Sequence, residues 1–186
     1  MTTVDELWYL ADEAAQQAEQ TYHDLCERHD GFGEFTRTRS VSRPRFRTVA
    51  ERTVDNGLPY GAHTLPYSQA GELLLVRHED VDMWVLPGGE VDGEESFRAA
   101  ARRELAEEAG VTGEFVGLGL LGRVEFHCDD HFTWGVLPIY AVRTTRTDPE
   151  VRDPDGEISA ASWFAELPAD TRDRDVLTDW RDRRFQ

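Results

Sequence analysis

Three carboxylates, Glu104, Glu107 and Glu108, stand close together in the segment Arg103-Glu104-Leu105-Ala106-Glu107-Glu108-Ala109-Gly110-Val111. On an α-helix, at about 100° per residue, they fall within an arc of roughly 100°. One helix face therefore carries all three. Like charges at i and i+4 repel by a few tenths of a kcal/mol even on an exposed helix, so the cluster is costly unless cations occupy it. Magnesium suits such a place, because it takes hard oxygen ligands from one or two carboxylates and completes its shell with phosphate oxygens and water. Just upstream, Gly88, Gly89 and Gly93 let the backbone come close to a ligand and aim a carbonyl or an amide at it. A solvated acidic face is the bland alternative, and it leaves Gly89, Arg103, Leu105 and Gly110 at their offsets without a reason.

Those offsets carry a resemblance. A glycine, five residues, Glu, seven residues, then Arg-Glu-apolar-any-Glu-Glu-any-Gly-apolar is the Nudix box, and Gly89, Glu95, Arg103, Glu104, Leu105, Glu107, Glu108, Gly110 and Val111 fill it without departure. Trp84-Val85-Leu86-Pro87-Gly88-Gly89 resembles the family's lead-in strand, and Glu157 to Phe164 with Leu167-Pro168 its closing strand. The likeness covers roughly residues 60 to 170 and leaves the N-terminal part outside it.

The resemblance implies an α/β chain with the Nudix fold, a mixed β-sheet sandwiched between α-helices. It implies that Glu104, Glu107, Glu108 and the carbonyl of Gly89 bind Mg2+ or Mn2+, and that Glu95 binds a further ion directly or through water. Arg103 would orient the glutamates, in keeping with its i, i+4 relation to Glu107. The general base would be a box glutamate or one from a later loop, for which Glu157 is the candidate. The metal would neutralise a diphosphate, polarise a phosphoryl oxygen and acidify a bound water. The implied reaction is hydrolysis of the pyrophosphate bond in a nucleoside diphosphate linked to another group. ADP-ribose or a nucleotide sugar is the first candidate, with dinucleoside polyphosphates and oxidised nucleoside triphosphates still open. A Nudix-like module that senses a nucleotide without cutting it is the alternative, disfavoured because every box carboxylate is kept. A structural calcium site is disfavoured because no loop has EF-hand spacing.

The helix that bears the box is expected over Glu94 to Ala109, stopped by Gly110 in a left-handed cap. Before it, His63 to Tyr67 and Glu72 to Arg77 read as two strands joined by Ser68-Gln69-Ala70-Gly71, with Pro66 suggesting an edge or a bulge. Met83 to Leu86 reads as a third. Later strands are expected around Gly113 to His127, Phe132 to Thr144 and Ile158 to Phe164, and a last helix around Arg172 to Phe185. At the other end, Leu7, Leu10, Ala11, Ala14, Ala18, Tyr22 and Leu25 recur at helical steps over Val4 to His29, with Thr3 and Glu6 as a capping box. The division expected is 1–55, an N-terminal helix and arginine-rich segment, and 56–186, the catalytic domain.

The chain of 186 residues carries 37 acidic and 20 basic residues, a formal net charge of -17 and a pI near 4.6. It contains no lysine, so every basic residue is arginine. A lysine-free acidic surface is the composition expected of a cytoplasmic protein from a high-salt organism such as a halophilic archaeon, where salt screens self-repulsion over about 3 Å at 1 M. Such charge repels nucleic-acid backbones and anionic membranes, leaving a small nucleotide as the expected partner. A homodimer through the N-terminal helix stays open. Arg37, Arg39, Arg43, Arg45, Arg47 and Arg52 crowd into one stretch. They read as a phosphate clamp or, preferred here, as partners for the protein's own acids. His127, Asp129, Asp130 and His131 read as a polar strand tip rather than a second metal site, and Trp84 and Trp163 as core. Cys26 and Cys128 match no zinc-ligand spacing.

Overall fold

The computed structural model describes residues 5–145 and 147–186. Its elements, in chain order, are α1 (Glu6–Arg28), β1 (Gly33–Ser40), α2 (Arg43–Asn56), β2 (Ala62–Tyr67), β3 (Leu73–His78), β4 (Met83–Val85), β5 (Gly88–Gly89), α3 (Phe97–Ala109), β6 (Glu114–Cys128), β7 (His131–Arg143), β8 (Ile158–Phe164) and α4 (Arg174–Phe185). The chain divides into two compact units, one made of residues up to Gly61 with Leu120–Pro138, the other of Ala62–Gly119 with Ile139–Gln186.

In the first unit α1 buries Leu7, Ala11, Ala14, Ala18 and Leu25, the small residues allowing close approach, and Thr21 joins them in place of the more open Tyr22. Its cap is Asp5, whose Oδ1 accepts from the Leu7 amide. The expected capping residue Thr3 lies outside the described residues. The arginine-rich stretch, to which periodicity assigned no element, forms β1 and α2. Strand β1 pairs parallel with β6, from Gly33 against Leu120 to Ser40 against His127. Helix α2 buries Phe46, Val49, Ala50 and Thr53 at i, i+3, i+4 and i+7, behind a Ser42 cap and ahead of Gly57 in the left-handed region. Asp129-Asp130 is the turn between β6 and β7, as the polar-tip reading expected.

The second unit holds the mixed sheet proper, in the order β7-β2-β3-β4, with β5 on β2 and β8 on β3. Pro66 does not mark an edge. Strand β2 runs parallel to β7 with Pro66 opposite Val142, and meets β3 at a single pair, Tyr67 with Leu73. Thr64, two residues earlier, sends its amide to the Pro87 carbonyl, away from β7. The nitrogen of Pro66 points the same way, into the stretch between the β5 and β3 pairings where no ladder bond is lost.

Strand β3 is buried on both faces. Leu74 and Val76 pack with Leu105 and Ala109 of α3, Val85, Val142, Ile158 and Trp163. Leu73, on the opposite face, lies beside Tyr67, whose ring meets Trp180 of α4 at 5.5 Å. Helices thus cover both sides of this sheet, the α/β arrangement expected. Trp163 is core, its indole N–H donating to the Thr147 carbonyl at 2.8 Å. Trp84 is half-buried, edge-on to Phe164.

Helix α3 starts two to three residues later than periodicity suggested, because Ser96 caps it through the Ala99 amide at 3.1 Å. It ends at Gly110, at φ 62°. A Cβ there would stand 2.7 Å from the Glu150 carbonyl oxygen, where Glu150 and Arg152 use their amides to cap the carbonyls of Ala109 and Glu107. Gly110→Ala therefore meets both left-handed strain and a backbone clash. A loss of about 1–3 kcal/mol is expected, read as a fall in the chemical-denaturation midpoint at unchanged m-value.

Candidate active site

All the box residues lie in the second unit. Helix α3 presents its carboxylates toward the Gly88–Gly89 strand, and Arg103 stands at the centre of the group. Its Nε donates to Glu95 Oε1 at 3.1 Å, Nη1 to Glu104 Oε1 at 2.8 Å and to Glu107 Oε2 at 3.3 Å, and Nη2 to the Glu90 carbonyl at 2.9 Å. A planar guanidinium reaches all four because its donors fan out in a fixed fork. The same contacts raise the Arg103 pKa, Glu95 contributing most. Glu95 is held below the usual carboxylate range by Arg103 and by the Asp92 amide, which closes the loop on Glu95 Oε2 at 3.0 Å.

Glu108, one turn beyond Glu104 on the same side of the helix, is 7% exposed. Its Oε2 accepts from the Gly88 amide at 2.9 Å. Burial pushes its pKa up to about 9, against the lowering effect of that hydrogen bond, and the charges of Glu104, Asp153 and Glu157 add to the rise. Glu104 is also raised, because burial outweighs the Arg103 ion pair. Gly89 makes room for Glu104, since a Cβ on it would lie 2.5 Å from Glu104 Oε1.

The loop after β7 supplies a further acidic edge. Its amides at Glu150 and Arg152 dock on the C-terminus of α3, and the Asp153 carboxylate accepts from the amides of Glu157 and Ile158 at 2.7 and 2.9 Å. Glu157 is exposed, its carbonyl bonded by the Glu79 amide and its Oε2 3.5 Å from His78 Nε2. Sequence reasoning singled out Glu157 but missed Asp153, which holds it. The Asp-Pro-Asp-Gly run was the available turn signal.

Among the described residues no three carboxylate, imidazole or thiol groups stand close enough to hold a metal ion by themselves. The donor set nevertheless fits a hard divalent cation. Burial pushes the half-buried Glu104 and the buried Glu108 toward their neutral forms, a cost that a bound cation would offset, and the bare Cα of Gly89 brings its peptide against Glu104. Magnesium habitually draws the rest of its shell from water and substrate phosphate.

The model of the NUDIX domain family matches residues 57–180. Over 125 residues the chain is 37% identical to diphosphoinositol polyphosphate phosphohydrolase 2 of Rattus norvegicus, covering 64% of this chain and 66% of that protein. Over 78 residues it is 38% identical to an RNA pyrophosphohydrolase of Acidiphilium cryptum (strain JF-5), covering 34% of this chain and 45% of that one. The chain thus spans only part of the length of these relatives. In fold it is similar to the NUDIX domain of Shewanella oneidensis NrtR, solved with ADP ribose, at a TM-score of 0.54 and 18% identity over 67% of this chain and 86% of the other. With the family model spanning the sheet, the box helix and the closing strand, the chain belongs to the NUDIX domain family.

Proposed function

We propose that the protein is a pyrophosphohydrolase that uses Mg2+ or Mn2+ to cleave the pyrophosphate bond of a nucleoside diphosphate linked to another group. The observation that carries this reading is the pair of carboxylates set against Gly88–Gly89, the half-buried Glu104 held by Arg103 and the buried Glu108 bonded by the Gly88 amide. Glu104, Glu107, Glu108 and the Gly89 carbonyl would hold the cation, with Glu95 reaching a further ion directly or through water. The bound cation would supply charge neutralisation of the diphosphate and a more acidic water. Arg103 fixes the carboxylates in place, so that they need not reorganise when substrate arrives. Glu157 is the proposed general base. Its backbone is held at both ends by Asp153 and Glu79, and its carboxylate points into solvent reach beside His78.

ADP-ribose and nucleotide sugars are the first substrates to try. The acidic, lysine-free composition supports a reading as a cytoplasmic protein adapted to molar salt, with small nucleotides rather than nucleic acids or membranes as partners. Among the described residues no helix is long and apolar enough to cross a membrane.

The test is a panel of ADP-ribose, nucleotide sugars, dinucleoside polyphosphates and oxidised nucleoside triphosphates, incubated with the full chain in molar KCl and magnesium. Release of AMP or phosphate is measured. Turnover on at least one member is expected, stopped by a chelator and restored by Mg2+ or Mn2+. A folded protein that binds panel members and cuts none is a sensor module instead, and turnover indifferent to chelation removes the metal from the reading.

A further inference from the structure

Among the described residues the exposed Glu157 carboxylate pairs with one side chain only, the half-buried His78, whose Nε2 lies 3.5 Å from Glu157 Oε2. That is the outer limit of a hydrogen bond. An exposed glutamate can close such a gap, as catalytic hydrogen bonds do when substrate binds.

The strands bring this pair together on the side where α3 lies. His78 ends β3, and alternation from Leu74 and Val76 turns it to the face packed on α3, a face shared by its register partners Met83 and Ile158. Just there the β3–β8 register slips. Arg77 stands opposite Ala160 and His78 opposite Ile158, which leaves Ser159 as the extra residue of a bulge. The slip draws Glu157 one place nearer along β3, so that its carbonyl accepts from the Glu79 amide and its side chain reaches His78. The charge of Glu157 is felt by Glu108, which places it near the box carboxylates.

The second ring nitrogen decides which tautomer of His78 faces the glutamate. Nδ1 is buried with no hydrogen-bond partner among the described residues. A neutral imidazole carries its single proton on one nitrogen or the other, and a buried N–H without an acceptor is costlier than an unused lone pair. The proton therefore belongs on Nε2, which donates to Glu157.

We propose that His78 is the positioning residue of Glu157, its Nε2–H holding the carboxylate toward α3 for proton abstraction from the attacking water. This rests on the assignment of Glu157 as general base. Only one carboxylate oxygen is engaged, and the other is left for water. The water's proton passes to Glu157 while His78 keeps its own, so the imidazole orients the base and does not react.

Two measurements on the full chain test it. Proton–nitrogen correlation spectra of the histidine rings, taken at mildly alkaline pH where imidazoles are neutral, report the tautomer, and loss of signals in His78→Gln identifies those of His78. The Nε2–H form is expected, and an Nδ1–H form overturns the proposal. Turnover is followed with ADP-ribose or whichever member of the nucleotide panel the wild type cuts. His78→Leu removes the donor and should lower kcat about tenfold at unchanged KM, part of the roughly 10²- to 10⁴-fold that a positioned base supplies. His78→Gln returns an N–H near the place of Nε2 and should recover most of that loss. In a Glu157→Gln background His78→Leu should cost nothing further, whereas a merely structural histidine would cost the same in both backgrounds. Wild-type kcat in His78→Leu, no recovery in His78→Gln, or losses that multiply in the double variant would each overturn the proposal. Wild-type kcat in Glu157→Gln alone removes the base assignment, and the proposal with it, as does a wild type that cuts no panel member.

Discussion

Glu107→Gln/Glu108→Gln is expected to lower magnesium-dependent kcat by about 10³-fold or more, the range that removing a charge-stabilising group reaches, while the fold stands. Glu108 makes one hydrogen bond, from the Gly88 amide at 2.9 Å, which a glutamine carbonyl oxygen accepts equally well. Burial penalises its charge, so a neutral amide of the same shape relieves a cost. Glu107 is half-buried, and its carboxylate accepts from Arg103 at 3.3 Å. The melting temperature of the variant in chelator should therefore match or exceed that of the wild type.

A readout independent of turnover accompanies it. An ion that binds only the folded state raises stability by RT ln(1 + [L]/Kd). Magnesium should raise the wild-type melting temperature and leave that of the variant unmoved. Wild-type turnover in the variant, or an undiminished magnesium-induced shift, would remove these carboxylates from the metal site.

The features by which the sequence points to the candidate site are local. Helical periodicity puts Glu104, Glu107 and Glu108 on one side of a cylinder, and Gly110 stops that cylinder where its φ of 62° requires. What periodicity cannot supply is which carboxylate turns where. Arg103 gathers Glu95, Glu104 and Glu107, whereas Glu108 reaches the Gly88 amide, because the loop from Gly88 to Glu95 folds back over the helix. The docking of Glu150 and Arg152 on the helix end, which brings Asp153 and Glu157 close enough for Glu108 to feel their charge, joins segments far apart in sequence.

The N-terminal part was less legible for a different reason. The apolar residues of α2 sit at helical spacing, but arginines crowd between them and hid the pattern, although Ser42, Pro44 and Gly57 bracket it as a cap, a first-turn proline and a stop. Strand β1 alternates half-buried with exposed residues, yet the inward set includes Arg37 and Arg39, so its periodicity carries no hydrophobic contrast. Pro66 misled in the opposite direction. Its missing amide signals a gap in one ladder only, and β2 has its long partner on the other side.

Gly89→Ala should separate activity from stability, and comparison with Gly88→Ala explains why. At Gly88 an added Cβ would meet the His63 ring at 2.3 Å and the Ala62 carbonyl oxygen at 2.7 Å. Backbone cannot step aside cheaply, so that substitution acts on the fold. At Gly89 the added Cβ would meet Glu104 Oε1 at 2.5 Å and Cδ at 2.6 Å. The far end of a glutamate can swing away at little cost to stability. The movement takes with it a carboxylate that Arg103 now holds at 2.8 Å, and a displacement of about 1 Å in a reacting group costs about 10²-fold in rate. Gly89→Ala is therefore expected to lose about 10²-fold in kcat at a melting temperature near wild type. Its magnesium-induced melting shift should shrink in step, because the ion would meet Glu104 out of place. A Gly89→Ala enzyme with wild-type kcat would mean that Glu104 does its work from a position this glycine does not control.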